Sequence, residues 1–218
     1  MNVNRNILLS FDLDFTLVNN QEGIIKSFNY ALNRYNLSQL EGSEILPMIG
    51  LPLAEMFQKV TDLDPDILVN AFREYYKSHG IYQVEFLPGV REKLQELKDN
   101  LFTLGIITSK KQEMAKKVIE ILNISHFFEY IIGDGDIMKT KTDQKLIDYL
   151  KTKYANYDFI IVGDHIKDRF LAENLNVPFI GVLTGTHSAE ELRSNSSTKT
   201  LILPSVKDLS PNLIYSLV

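Results

Sequence analysis

The sequence predicts an α/β protein: a Rossmann-like, mainly parallel sheet core with an inserted all-helical cap domain. Three observations carry this. An apolar run of strand length, within NILLSFDLDFTL at 6–17, ends abruptly in two carboxylates. The next stretch, about 20 to 84, shows helical periodicity alone. From Pro88 onward strand-like and helix-like segments alternate, the pattern of βαβ units with right-handed crossovers.

Within the opening run, Ile7, Leu8, Leu9 and Phe11 fit a strand buried on both faces, as a parallel sheet requires. Asp12 and Asp14 fall at or just past its carboxyl end, where open α/β sheets place their ligands. Two carboxylates this close repel. Beside so apolar a strand they need a divalent cation, a shared proton or helix-end N–H groups to offset the loss of water.

The polar VNNQEG at 18–23 reads as a loop and helix start, after which Ile25, Phe28, Ala31, Leu32 and Tyr35 recur at helical spacing. A second helix follows Pro52 through Leu53, Met56, Phe57 and Val60. A third runs from about Asp66 to His79 on Ile67, Leu68, Ala71, Phe72, Tyr75 and Tyr76, with Gly80 as its stop. The alternating region then reads helix Val90 to Leu97, strand Phe102 to Thr108, helix Gln112 to Leu122, strand Tyr130 to Gly133 and helix Asp143 to Tyr154. Strand Phe159 to Gly163, helix Lys167 to Leu175, strand Phe179 to Val182 and a short strand near Leu201 to Leu203 complete it, with SNSSTKT at 194–200 as a polar loop. The first strand belongs to this region. The expected boundaries are therefore a core of 1–18 and 85–218 and a helical domain of 19–84, hung above the carboxyl ends of the strands as a lid.

Composition narrows the partners. With 44% hydrophobic and 23% charged residues among 218, a sizeable core is affordable. The net charge of −5 argues against a nucleic-acid binder that relies on bulk positive charge. The absence of cysteine excludes disulfides and thiolate metal sites. No apolar run approaches the roughly 18 residues of a membrane span, and MNVNRN leads into the first strand without a signal-peptide layout. A soluble, cytoplasmic protein is expected, with neither nucleic acid nor membrane as partner, as a monomer or homodimer.

Three later strand ends carry polar residues of particular types. LGII runs into Thr108, Ser109, Lys110 and Lys111; YIIG leads through GDGDIM to Lys139 and Lys141; FIIVG ends in Asp164, His165 and Asp168. With Asp12 and Asp14 this brings four acids, a hydroxyl and a lysine to one sheet edge. Phosphoryl transfer needs such a set: a nucleophile, a proton donor, oxygen ligands for Mg²⁺, and donors that neutralise the equatorial oxygens.

In this order and spacing, FDLDFTL, IITSKK, the lysine loop and IIVGDHIKD resemble the four motifs of the haloacid dehalogenase-like superfamily of aspartate-nucleophile phosphatases. With Pro88-Gly89-Val90, IGLPL in the insert and NVPFIGVLTG after the last motif, the chain looks like the phosphoglycolate phosphatase branch with a helical cap. The resemblance implies that Asp12 attacks phosphorus and that Asp14 protonates the leaving oxygen, then activates water. It implies Mg²⁺ on Asp12, the backbone carbonyl of Asp14 and Asp164, with Asp168 as a water-bridged ligand or orienter. Thr108, Ser109 and a lysine would bind the phosphoryl group. Lys141 lies at the family's usual loop length and is favoured; Lys139 instead keeps the usual four-residue gap to an acid, Asp143, and the proline that often follows this lysine is absent after both. Where the family usually has glycine after the second acid, this chain has Phe15, which puts substrate size in question.

Other residues have plainer readings. His165 is a loop residue or hydrogen-bond partner rather than a ligand, and Lys110 and Lys111 either attract a phosphorylated substrate or form a solvated helix start. Arg73, Asn19, Asn20 and Glu22 are candidates to meet the leaving group. The expected activity is Mg²⁺-dependent hydrolysis of a small phosphorylated metabolite. A phosphomutase would use the same two acids, and a phospho-accepting or ligand-binding relative would use them without turnover. A dehalogenase is disfavoured, because that branch does not use the second acid, Asp14.

Overall fold

The computed structural model describes residues 6–218. Residues 1–5 of the expected core, and with them most of MNVNRN, lie outside the described residues. Six strands build one fully parallel sheet: β1 (Ile7–Phe11), β4 (Thr103–Lys111), β5 (Tyr130–Asp134), β6 (Asp158–Gly163), β7 (Phe179–Val182) and β8 (Thr200–Leu203). Two short strands, β2 (Val18–Asn19) and β3 (Glu85–Phe86), pair with each other as a separate two-stranded sheet.

The order across the large sheet is β5-β4-β1-β6-β7-β8. From β1 the chain builds outward to one side through β4 and β5, then returns to the other side of β1 and builds outward again. The order reverses at β1, and in open α/β sheets the crevice for a ligand opens at the carboxyl ends of the strands at such a point. All five residues of β1 are buried. Apolar residues of this kind on both faces stabilise by about 1.5–3 kcal/mol each, so β1 sits centrally because only the centre buries both of its faces.

The chain divides into two compact units, one formed by the segment up to Asn19 together with Phe86–Val218, the other by Asn20–Glu85. The second is helical, with α1 (Gln21–Arg34), α2 (Gly42–Ile45), α3 (Leu53–Gln58) and α4 (Pro65–Ser78). Its centre is aromatic: Phe28 stacks on Phe57 with ring centroids 4.3 Å apart, and Tyr30 on Tyr75 at 4.6 Å. Asp64 caps α4 by accepting a hydrogen bond from the Asp66 backbone N–H at 2.9 Å, and Pro65 occupies the first turn, where its missing N–H costs nothing.

In the sheet-bearing unit the crossover helices are α5 (Val90–Asp99), α6 (Gln112–Ile121), α7 (Gln144–Lys153) and α8 (Ile166–Leu175), followed by the short α9 (Ala189–Arg193) and α10 (Pro211–Tyr215). The short elements α2, α9, α10, β2 and β3 go beyond the sequence reading, because two to five residues hold too little periodicity to register. The strand expected to stop at Thr108 runs on to Lys111, with a register shift against β5 between Ile107 and Lys111. Among the described residues no helix is long and apolar enough to cross a membrane.

Candidate active site

The opening motif is held by its neighbours on both sides. The backbone N–H of Asp12 donates to the carbonyl of Val162 at 2.9 Å, which continues the ladder one residue beyond β1. Asp164 directly follows Gly163 at the end of the adjacent β6, and Asp168 lies in the first turn of α8. Ligand oxygens of Asp12, Asp164 and Asp168 all lie within 4.8 Å of one another, and the three residues are buried.

Lys141 is buried among them. Its Nζ is 2.7 Å from Asp12 Oδ1 and also bonds Asp168 Oδ1. The neighbouring Lys139 is exposed, with its ammonium 3.6 Å from Asp134. Asp143 separates the two: its carboxylate accepts from the backbone N–H groups of Lys139 and Thr140 and from the Thr140 hydroxyl, and so tightens the loop before α7. Thr108 is buried three residues before the end of β4, while Ser109 beside it is exposed. Asp14 is half-buried, and Lys110 Nζ lies 3.0 Å from its Oδ2.

The family model for haloacid dehalogenase-like hydrolases matches residues 9–182. The chain belongs to that family. Among curated proteins it is 31% identical over 162 residues to pyrophosphatase PpaX of Bacillus cereus, covering 72% of this chain and 74% of the relative. It is 29% identical over 176 residues to pyrophosphatase PpaX of Bacillus mycoides, covering 79% and 81%. Among solved structures it is similar to a predicted phosphatase from Clostridium acetobutylicum, at 29% identity with a TM-score of 0.76, covering 91% of this chain and 94% of that one. A predicted phosphoglycolate phosphatase from Haemophilus somnus shares the fold, at 23% identity and a TM-score of 0.81, covering 93% and 96%.

In this haloacid dehalogenase-like hydrolase the buried charges set one another's ionisation. Burial, with the Asp12 and Asp168 charges, pushes the Asp164 carboxyl well above its usual range, against a hydrogen bond from Thr16. Burial raises Asp168 to about 6 even though Lys141 opposes it. Burial by itself would lower Lys141, but Asp12 and Asp168 more than reverse that and hold it as an ammonium. Asp14 is raised, first by burial, then by Asp12, with Lys110 pulling the other way. Carboxylates that resist ionisation together are short of positive charge.

The donors also fit a hard cation. Asp12 Oδ1 is buried and, for all its closeness to Lys141, accepts no well-directed hydrogen bond. Three carboxylates converging without sulfur or imidazole suit Mg²⁺ rather than a softer metal. His165 is not among the converging ligands. Its Nδ1 accepts from the Lys167 backbone N–H at 3.1 Å while the His165 backbone N–H donates to Asp168 Oδ2 at 3.2 Å, a capping box for α8. Burial and the His187 ring, 4.2 Å away between centroids, keep it neutral, with its pKa down to about 4.

Several supporting residues carried no assignment from sequence. Thr16 donates its hydroxyl to Asp164 Oδ1 at 2.7 Å, and Thr184 donates to the Phe15 carbonyl at 2.5 Å. Gly185 lies so near that a Cβ there would sit 1.9 Å from Asp164 Oδ2. Thr16 lies inside the first motif and Thr184-Gly185 close NVPFIGVLTG, so the signal was present as motif membership without a role. Phe15 has φ of 59°, the left-handed region that favours glycine. The family's usual glycine therefore answers a backbone demand that this chain meets with an aromatic residue. Of the candidates in the helical unit, Asn20 is buried with its amide 3.5 Å from the Tyr76 hydroxyl, Glu22 pairs with Lys26 at 2.6 Å, and Arg73 is exposed.

Proposed function

We propose that this protein is a Mg²⁺-dependent phosphatase that cleaves a small phosphorylated substrate through an aspartyl-phosphate on Asp12. The observation that carries the reading is the buried convergence of Asp12, Asp164, Asp168 and Lys141 at the carboxyl edge of a parallel sheet. A purely structural cluster does not need three acids against one ammonium, since burying unmatched charge costs several kcal/mol per ion.

Asp12 attacks phosphorus through a carboxylate oxygen, and the bond from phosphorus to the leaving oxygen breaks. Asp14 gives that oxygen its proton. In the second half Asp14 takes a proton from water; the hydroxide attacks phosphorus, the bond to Asp12 breaks, and phosphate leaves. Lys141 and Thr108 donate to the phosphoryl oxygens, joined by the backbone at Ser109, since the Ser109 side chain is exposed. Mg²⁺ would be held by Asp12, Asp164 and the Asp14 carbonyl, with Asp168 behind them, and supplies the positive charge that lets an anionic nucleophile meet an anionic phosphate.

The substrate class we favour is a small phosphomonoester such as phosphoglycolate. Pyrophosphate is a second reading, favoured by the curated relatives named pyrophosphatase PpaX. The test is phosphate release from phosphoglycolate, pyrophosphate, sugar phosphates and nucleotides, with and without Mg²⁺. We expect Mg²⁺-dependent turnover that Asp12→Asn lowers by at least 10³-fold, in keeping with loss of a nucleophile. Turnover that survives Asp12→Asn, or isomerised sugar phosphate without free phosphate, would overturn the reading.

A further inference from the structure

We propose that Lys110 is a positioning residue that selects which oxygen of Asp14 faces the leaving group. The inference rests on the phosphatase reading above and adds a residue to it. β4 loses its register against β5 between Ile107 and Lys111, and such an irregularity re-aims side chains at a strand end. Across it the burial alternates: Thr108 is buried, Ser109 exposed, and the Lys110 side chain only 9% exposed. Thr108 and Lys110 therefore turn inward together, two residues apart, and the Lys110 backbone N–H lies 3.3 Å from Thr108 Oγ1.

A lysine this covered has given up the rotamer freedom and hydration that keep lysines outside. Its partner here is Asp14, with Nζ 3.0 Å from Oδ2. An ammonium donates and cannot accept, so Oδ2 is the oxygen that accepts from it. With Oδ2 held by Lys110, Oδ1 is the oxygen turned to the leaving group. Lys110 thereby presents one oxygen as acid in the first half of the cycle and as base in the second. Without it Oδ2 loses the ammonium that fixes which oxygen is presented.

Protonation of the departing oxygen matters in proportion to its basicity, which gives a readout that a loosened fold does not imitate. We would measure kcat/KM for wild type, Lys110→Met and Lys110→Arg on ethyl phosphate, phenyl phosphate and p-nitrophenyl phosphate in saturating Mg²⁺, with folding checked by circular dichroism and melting temperature. We expect the Lys110→Met loss to be at least tenfold larger for ethyl phosphate than for p-nitrophenyl phosphate, and Lys110→Arg to recover most of the difference. A uniform loss across the three substrates, or no loss, overturns the role of Lys110. Absence of Asp12-dependent turnover in the wild type overturns the phosphatase reading itself, and the Lys110 role with it.

Discussion

At the scale of single residues, the site turns on Lys141, the ammonium that pairs with Asp12 and bonds Asp168 from a position only 3% exposed. Removing one member of a buried ion cluster strands the others, at a cost of about 3 kcal/mol or more. For Lys141→Met we expect a loss of that order in metal-free protein at pH 7.5, read by urea denaturation in EDTA, and a smaller loss at pH 5. The sign follows from Asp168, whose folded pKa is raised from 3.8 to about 6, chiefly by burial. The native state then binds more protons than the unfolded one between those values, so its contribution is present at low pH and fades as pH rises through 6. Without the ammonium the acids hold protons still more strongly, and acid compensates for the missing charge. Sequence spacing favoured Lys141 without excluding Lys139, because both lie in one short loop. What separates their environments is the turn that Asp143 closes, which leaves Lys139 outside and carries Lys141 inward.

At the scale of elements, helix α1 meets the turn at Gly80–Tyr82 without side-chain spacing, and a Cβ at Gly23 would sit 2.1 Å from the Gly80 carbonyl oxygen. Gly23→Ala must push the turn away. We expect it to destabilise the helical unit by about 1–3 kcal/mol, the range for overpacking, despite the better helix propensity of alanine. Limited proteolysis and denaturant melts of the variant would show whether cleavage begins within 20–85. The three main helices of this unit were legible because their apolar residues recur over two or more turns. The contact of Gly23 with Gly80 was not, since a missing side chain leaves no periodic trace. β2 and β3 escaped for a related reason: two residues define no alternation, and their pairing joins positions some 67 apart, roughly the length of the insert they flank.

At the scale of the whole molecule, a chain with net charge −5 concentrates three acids in one buried place. Under the proposed Mg²⁺ dependence, binding to the folded state but not the unfolded one raises stability by about 2.7 kcal/mol at a hundredfold excess over Kd. For a chain of this size that is a melting shift of about 5–10 °C. We expect scanning calorimetry with Mg²⁺ against EDTA to show it at pH 7.5, and Asp164→Asn to remove most of it. The shift should shrink below about pH 6, where Asp168 takes up the proton that a cation must displace.

The sequence by itself determined the α/β class, the strand ends that bear the acids, Thr108 and the lysines, and the helical character of the insert, because periodicity and apolar run length are properties of contiguous residues. Only the tertiary structure decided that Thr16 reaches Asp164 across 148 residues, that Lys141 lies between Asp12 and Asp168, and that Lys110 holds Asp14. The physical reason is register. Parallel strands align residues far apart in the chain through backbone hydrogen bonds that any side chain permits, so which side chains meet at the edge follows from the assembled sheet.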